Sequence, residues 1–179
     1  MLRIASPKRE RRRTSADAAA KARRVPVPTD LAALELLGKV DYADAFEIQA
    51  PDTRPPGEWT RLLLDTAPPA LLGFARAVQK LLGFRLAGVD SQHPLGWTII
   101  REDRHLFVLA ANGPAGSARL VGSTREDKLC VTTMLRLDSR RSRAAWSIVA
   151  PIHRAVARYL LNRSADAAAA TKPQRSGAL

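Results

Sequence analysis

The spacing of apolar positions changes twice along the chain. Over residues 40–50, "VDYADAFEIQA", it alternates: Tyr42, Phe46 and Ile48 fall on one side of an extended backbone, which predicts a β-strand. After the loop "PDTRPPG" the helical period takes over. "EWTRLLLD" (58–65) predicts a short helix stopped before Pro68. "PALLGFARAVQKLLG" predicts a second helix, with Pro69 in its first turn and Gly83 at its C-terminal cap. Leu71, Ala75, Val78 and Leu82 recur at i, i+4, i+7 and i+11, the spacing of a buried stripe.

The period then returns to two. "LGWTIIR", "HLFVLAA", "SARLVGST" and "KLCVTTMLRL" are short, apolar and β-branched. They are joined by Glu102–Asp103, by "NGPAG" and by Glu126–Asp127, which predicts an antiparallel meander with solvated corners. In the last of these strands Leu129, Val131, Thr133, Leu135 and Leu137 face one way, and Cys130, Thr132, Met134 and Arg136 the other. The second face is too apolar to be fully solvated, so a cavity or a partner is expected on it.

A long amphipathic segment closes the pattern, "WSIVAPIHRAVARYLL" (146–161), with Ser139 or Ser142 able to cap its start. Ile148, Val149, Ile152, Val156, Tyr159 and Leu160 form its expected buried stripe, with Arg154 and Arg158 opposite. Pro151 has no N–H for the carbonyl of Ser147, so a kinked helix is expected. The order of strand, two short helices, meander and long terminal helix is that of an α+β helix-grip domain, a curved antiparallel sheet wrapped around its last helix.

The ends of the chain differ from this core. Residues 1–24 carry nine Lys/Arg against two acids and show no periodicity; "VPVPTD" after them resists helix. Thr29 or Asp30 can cap a short helix in "LAALELLG". The division expected is a disordered basic tail and linker over 1–28, a single domain over 29–163 and a flexible tail over 164–179. The net charge of +12 belongs mostly to the first 24 residues, which hold +7 of it, while residues 25–163 hold +4. Contact of this tail with nucleic acid or an anionic membrane is therefore one reading of the charge. A solubilising tail is the other. The single cysteine, Cys130, excludes an internal disulfide. No apolar run reaches the roughly 20 residues of a membrane span, and a secretory signal is absent from "TSADAAAKARR" and its surroundings. A soluble, cytoplasmic protein is expected.

Several segments in this order resemble an uncharacterised bacterial family, a domain of unknown function grouped with the START-like and polyketide cyclase (SRPBCC) helix-grip superfamily. They are "DYADAF" (41–46), "EWTRLLLDTAPPAL" (58–71), "LGW" (95–97), "LCVTTML" (129–135) and the set Trp146, Pro151, His153 and Arg154. The resemblance spans about residues 40–163. It implies the fold and a hydrophobic cavity, and no particular reaction. Five strands are legible here, where larger members of the superfamily have seven.

On that reading a small apolar or amphipathic ligand is the expected partner, held between sheet and last helix. The expected lining is Trp97, Thr133, Leu135, Trp146, Val149 and His153, around an enclosed void of a few hundred Å³. His153 is the one candidate acid/base for a cyclase- or dehydratase-like reaction in the same cavity. Its alternative is a histidine packed at the boundary of helix and sheet. Trp59, Trp97 and Trp146 suit either a pocket wall or ordinary core. Asp41 and Asp44, three apart on a strand, point to opposite faces, which disfavours a carboxylate dyad and leaves them a salt-bridge or turn role. His93, His105, His153 and Cys130 show no metal-ligand spacing, and no glycine-rich phosphate loop or "G-x-S-x-G" elbow is present. Neither a metal nor a cofactor is expected.

Overall fold

The computed structural model describes residues 21–50 and 53–171. The chain runs β1 (Arg23–Val25), α1 (Thr29–Ala33), β2 (Tyr42–Gln49), α2 (Pro56–Asp65), α3 (Pro69–Leu81), a 3₁₀ turn (Pro94–Gly96), β3 (Thr98–Glu102), β4 (Leu106–Gly113), β5 (Gly116–Arg125), β6 (Lys128–Leu137) and α4 (Arg140–Thr171). The six strands form one antiparallel sheet in the order β1-β2-β6-β5-β4-β3. Strand β2 thus closes the meander from the far side, pairing along its whole length with β6. Both hairpins of β5 are tight. Glu126 and Asp127 join β5 to β6 with φ of 45° and 60°, the left-handed pair that a two-residue hairpin turn requires. At the Glu102–Asp103 corner between β3 and β4, Asp103 accepts the amides of His105 and Leu106, both at 2.9 Å.

Helices α2, α3 and α4 cover the inner face of the sheet. Its alternating residues, among them Phe46, Phe107, Leu109, Ala118, Leu129 and Leu135, are buried beneath them. Trp59 of α2 is wholly buried in this layer, and Arg61 ties α2 to β3 through two hydrogen bonds to Glu102, of 2.8 and 3.0 Å. Each large apolar side chain buried this way contributes roughly 1.5–3 kcal/mol. Helix α3 ends as the glycine pattern anticipates. Gly83 is left-handed at φ 73°, and the amides of Gly83 and Phe84 return to the carbonyls of Lys80 and Gln79.

The outer face explains the mixed side of β6. Met134, with Val108 and Val121 beside it, is buried under Leu31 and Leu37 of the N-terminal segment. What covers that face is the stretch following β1. The first domain boundary is corrected accordingly. Within the expected tail of 1–28, residues 23–25 pair with β2 and the Ala22 amide donates to Asn162 of α4 at 2.7 Å. Residues 1–20 of the expected tail lie outside the described residues. Helix α1 spans five residues rather than the whole of "LAALELLG" and has no side-chain cap; Asp30 pairs with Arg125 instead.

Helix α4 departs from expectation at its end and on its surface. It starts where Ser139 accepts the amide of Ser142 at 3.0 Å, a side-chain cap. It continues unbroken through Pro151 and past residue 163 to Thr171. The expected flexible tail of 164–179 is thus helical over its first half, because Ser164, Ala165 and Ala168 are small enough to lie flat against the core. Residues 172–179 lie outside the described residues. The buried side of α4 is Trp146, Val149, Ala150, Leu160 and Leu161. Three members of the expected stripe, Ile148, Ile152 and Tyr159, are exposed. Apolar residues nearly encircle this helix, so periodicity alone could not choose between its faces.

Candidate functional site

An apolar cavity of about 180 Å³ opens between α2, α3, α4 and the inner face of the sheet. Each wall follows from a period already described. The alternation of β6 sends Val131, Thr133 and Leu135 into it, and the helical stripe of α3 sends Leu71, Ala75 and Val78. Helix α4 contributes Trp146, Val149, His153 and Val156. All six residues expected from sequence, Trp97, Thr133, Leu135, Trp146, Val149 and His153, line it. Of the three tryptophans, Trp59 does not; it is core. The cavity is smaller than the void of a few hundred Å³ expected of a helix-grip protein. The sheet that bounds it is short, and Phe46, Leu72, Phe84 and Leu120 reach into the space. Its size matches one ring, since an apolar cavity of about 150 Å³ can take up benzene.

The wall is apolar but not featureless. Gln79 Oε1, the indole N–H groups of Trp97 and Trp146, and His153 Nε2 belong to lining residues and are buried without a hydrogen-bond partner. Such groups are uncommon in native interiors, because each costs on the order of 1–3 kcal/mol.

Beside the cavity, His153 meets a buried carboxylate. Asp44 is 2% exposed, and its Oδ1 lies 3.5 Å from His153 Nε2. Its Oδ2 accepts a short hydrogen bond of 2.5 Å from the Tyr42 hydroxyl. Burial first, and the Asp44 carboxylate second, push the Tyr42 phenol well above its ordinary pKa, so it stays a donor. The Tyr42 ring stands edge-on to Trp146 at 5.0 Å, and Trp146 lies 5.2 Å from the His153 ring. Thr133 is the direct cross-strand neighbour of Asp44. Two elements, β2 and α4, thereby bring a tyrosine, a carboxylate, an indole and an imidazole to one side of the cavity, and β6 sets Thr133 beside them.

Asp44 and Tyr42 were missed by the reading of spacing. The salt-bridge or turn role fits Asp41, which accepts the Leu137 amide at 2.8 Å and pairs with Lys39 at 3.0 Å, contacts that hold its carboxyl below the usual range. Asp44 instead pairs inside the fold, 3.5 Å from His153 and bonded to Tyr42. The signal was available: the buried face of β2 reads Tyr42, Asp44, Phe46, Ile48, one acid in an apolar register. Among the described residues no three His, Cys, Asp or Glu side chains are grouped to hold a metal ion, and no helix is long and apolar enough to cross a membrane.

These features define a class: an α+β protein with a six-stranded antiparallel sheet, a long C-terminal helix and a small apolar cavity between them. Set against protein-family models, curated proteins and solved structures, the chain matches none.

Proposed function

We propose that the chain is a helix-grip protein whose cavity binds a small apolar or amphipathic ligand. The observation that carries this is the pairing of an apolar wall with unpartnered polar atoms on its lining residues. Buried N–H groups on Trp97 and Trp146 call for an acceptor, and Gln79 Oε1 calls for a donor. A single-ring molecule bearing a hydroxyl, which both donates and accepts, meets both demands. Burying about 200 Å² of such a ring is worth at most about 5 kcal/mol, a dissociation constant in the sub-millimolar range.

The test uses purified protein titrated with p-cresol and phenol by calorimetry, alongside solvent extraction and mass spectrometry of whatever co-purifies. Saturable binding is expected, and Ala157→Phe, which fills the cavity from α4, should abolish it at a stability cost of about 1–3 kcal/mol. Equal binding by the filled variant would place the ligand elsewhere.

The Asp44–His153 approach favours a second reading, a cyclase- or dehydratase-like enzyme in the same cavity. A carboxylate at Nε2 favours the proton there and leaves Nδ1 as the basic nitrogen, an arrangement suited to acid/base work. Incubating a co-purified ligand with wild type and with His153→Gln separates the two. Conversion by the wild type alone supports the enzyme; recovery of intact ligand from both leaves binding only.

A further inference from the structure

Helix α4 carries a second face that the cavity does not use. Arg141, Ala144, Ile148, Ile152, Ala155, Tyr159 and Arg163 succeed one another at spacings of three and four, and every one is exposed. Ile148 is 74% exposed, Ile152 46% and Tyr159 44%. Side chains at this spacing form one straight stripe. Its apolar middle runs from Ala144 to Tyr159, about 22 Å at 1.5 Å per residue, and each end carries an arginine. Arg140 adds a further exposed cation beside Arg141. From Ser139 to Ala165 the chain has no acid at all.

This face is adjacent to the cavity wall. Ile148 and Val149 are consecutive, Ile152 and Val156 are one turn apart, and Tyr159 adjoins Leu160; Val149, Val156 and Leu160 all line the cavity. Across the cavity α3 presents Phe74, a lining residue that is itself 38% exposed.

We infer that the stripe is a docking surface for an anionic phospholipid bilayer, with α4 lying in the plane of the interface. The charge pattern selects this occupant. A second copy of the stripe would set arginine against arginine, end to end in the antiparallel arrangement and side by side in the parallel one, with no acid on the stripe to offset them. A surface of lipid phosphates offers a negative charge to every arginine at once. The shape agrees: a single convex helix ridge suits a soft planar surface, where three half-exposed apolar side chains reach the acyl boundary and arginine stems extend back to the headgroups. Tyr159, with its hydroxyl 3.5 Å from Arg163 Nη1, has the amphipathic form favoured at that depth. The inference does not require the cavity to hold a ligand.

Co-sedimentation of the full chain with vesicles tests it. Vesicles of phosphatidylglycerol mixed with phosphatidylcholine should bind the protein, and phosphatidylcholine alone should not. Binding should fall as salt is raised. Ile148→Ser/Ile152→Ser alters only exposed positions, so it should fold normally and lower the partition coefficient at least about tenfold. Arg140→Gln/Arg141→Gln should lower it on the order of tenfold and flatten its salt dependence. Three results would overturn the inference: no binding to anionic vesicles, binding unchanged in the isoleucine variant (which would assign it to another basic segment), or a wild-type dimer in sedimentation velocity that the isoleucine variant converts to monomer.

Discussion

Replacing Tyr42 by phenylalanine should destabilise the protein by about 3 kcal/mol, although it removes a single oxygen. That oxygen supplies the hydrogen bond to Asp44 Oδ2, and Asp44 is buried on the inner face of the sheet. The other carboxylate oxygen has no hydrogen-bond partner; His153 Nε2 stands off at 3.5 Å, beyond a good bond. Without the phenol the carboxylate keeps its burial and loses its donor. Urea unfolding should show a lower midpoint with an unchanged slope. Two companions make the result interpretable. Tyr159→Phe, on the exposed side of α4, should change little. Tyr42→Phe/Asp44→Val, which removes both partners, should recover much of the loss, because an apolar pair leaves no buried carboxylate without a donor. Wild-type stability in Tyr42→Phe would mean that Asp44 is held by another group. If the single variant binds ring ligands more weakly while Tyr42→Phe/Asp44→Val does not, the carboxylate serves the fold alone; if both lose binding, it also orients His153.

How much of this was legible in the chain depends on how local each feature is. The meander and helices α2 and α3 were readable because period, prolines and glycines agree over short stretches: Pro69 begins α3 and Gly83 ends it, while α2 starts at Pro56, two residues before the expected Glu58. Five of the six expected cavity residues lie together because two simple rules place them, alternation on β6 and the helical repeat on α4; the sixth, Trp97, comes from the turn before β3. What was not legible depends on distant partners. Strand β1 is three residues of a basic segment, and only β2, about 20 residues away, makes it a strand. The end of α4 looked frayed since alanine and serine offer little apolar area, yet they pack closely where bulkier residues could not. The stripe on α4 was assigned to the core because Ile148, Ile152 and Tyr159 are apolar. Burial of the helix was decided instead by Trp146 and by the small residues that let it approach α2 and the sheet. The partners of Asp44 were hidden for a related reason. Spacing from Asp41 ruled out a carboxylate dyad correctly, but its true neighbours, Tyr42 and His153, are two and 109 residues away. The exposed apolar stripe and the orphaned polar atoms are the places where local pattern and fold disagree, and such disagreements concentrate at sites that do something besides fold.

Gly113→Ala should be comparably damaging, by about 3 kcal/mol, through crowding rather than lost bonding. Gly113 ends β4 and lies under the turn that terminates α3. A Cβ there would sit 1.9 Å from the Gly83 carbonyl oxygen and 2.9 Å from Phe84 Cα, both backbone atoms that no side-chain rotation can move. The same junction is held by the Arg85 amide donating to the Asn112 carbonyl at 2.9 Å. Relief therefore requires the end of α3 to lift from the β4–β5 hairpin. Val78, Leu82 and Phe84 would move with it, and all three line the cavity. Two measurements should fall together: the urea midpoint and the affinity for p-cresol. Gly73→Ala in the exposed middle of α3 is the contrasting case. Its added Cβ meets nothing within 4 Å, and alanine is the better helix former, so stability should rise by up to about 1 kcal/mol with binding unchanged. A Gly113→Ala protein that loses stability but binds p-cresol normally would show that the α3 end does not shape the cavity, and would shift the ligand wall toward α4 and β6.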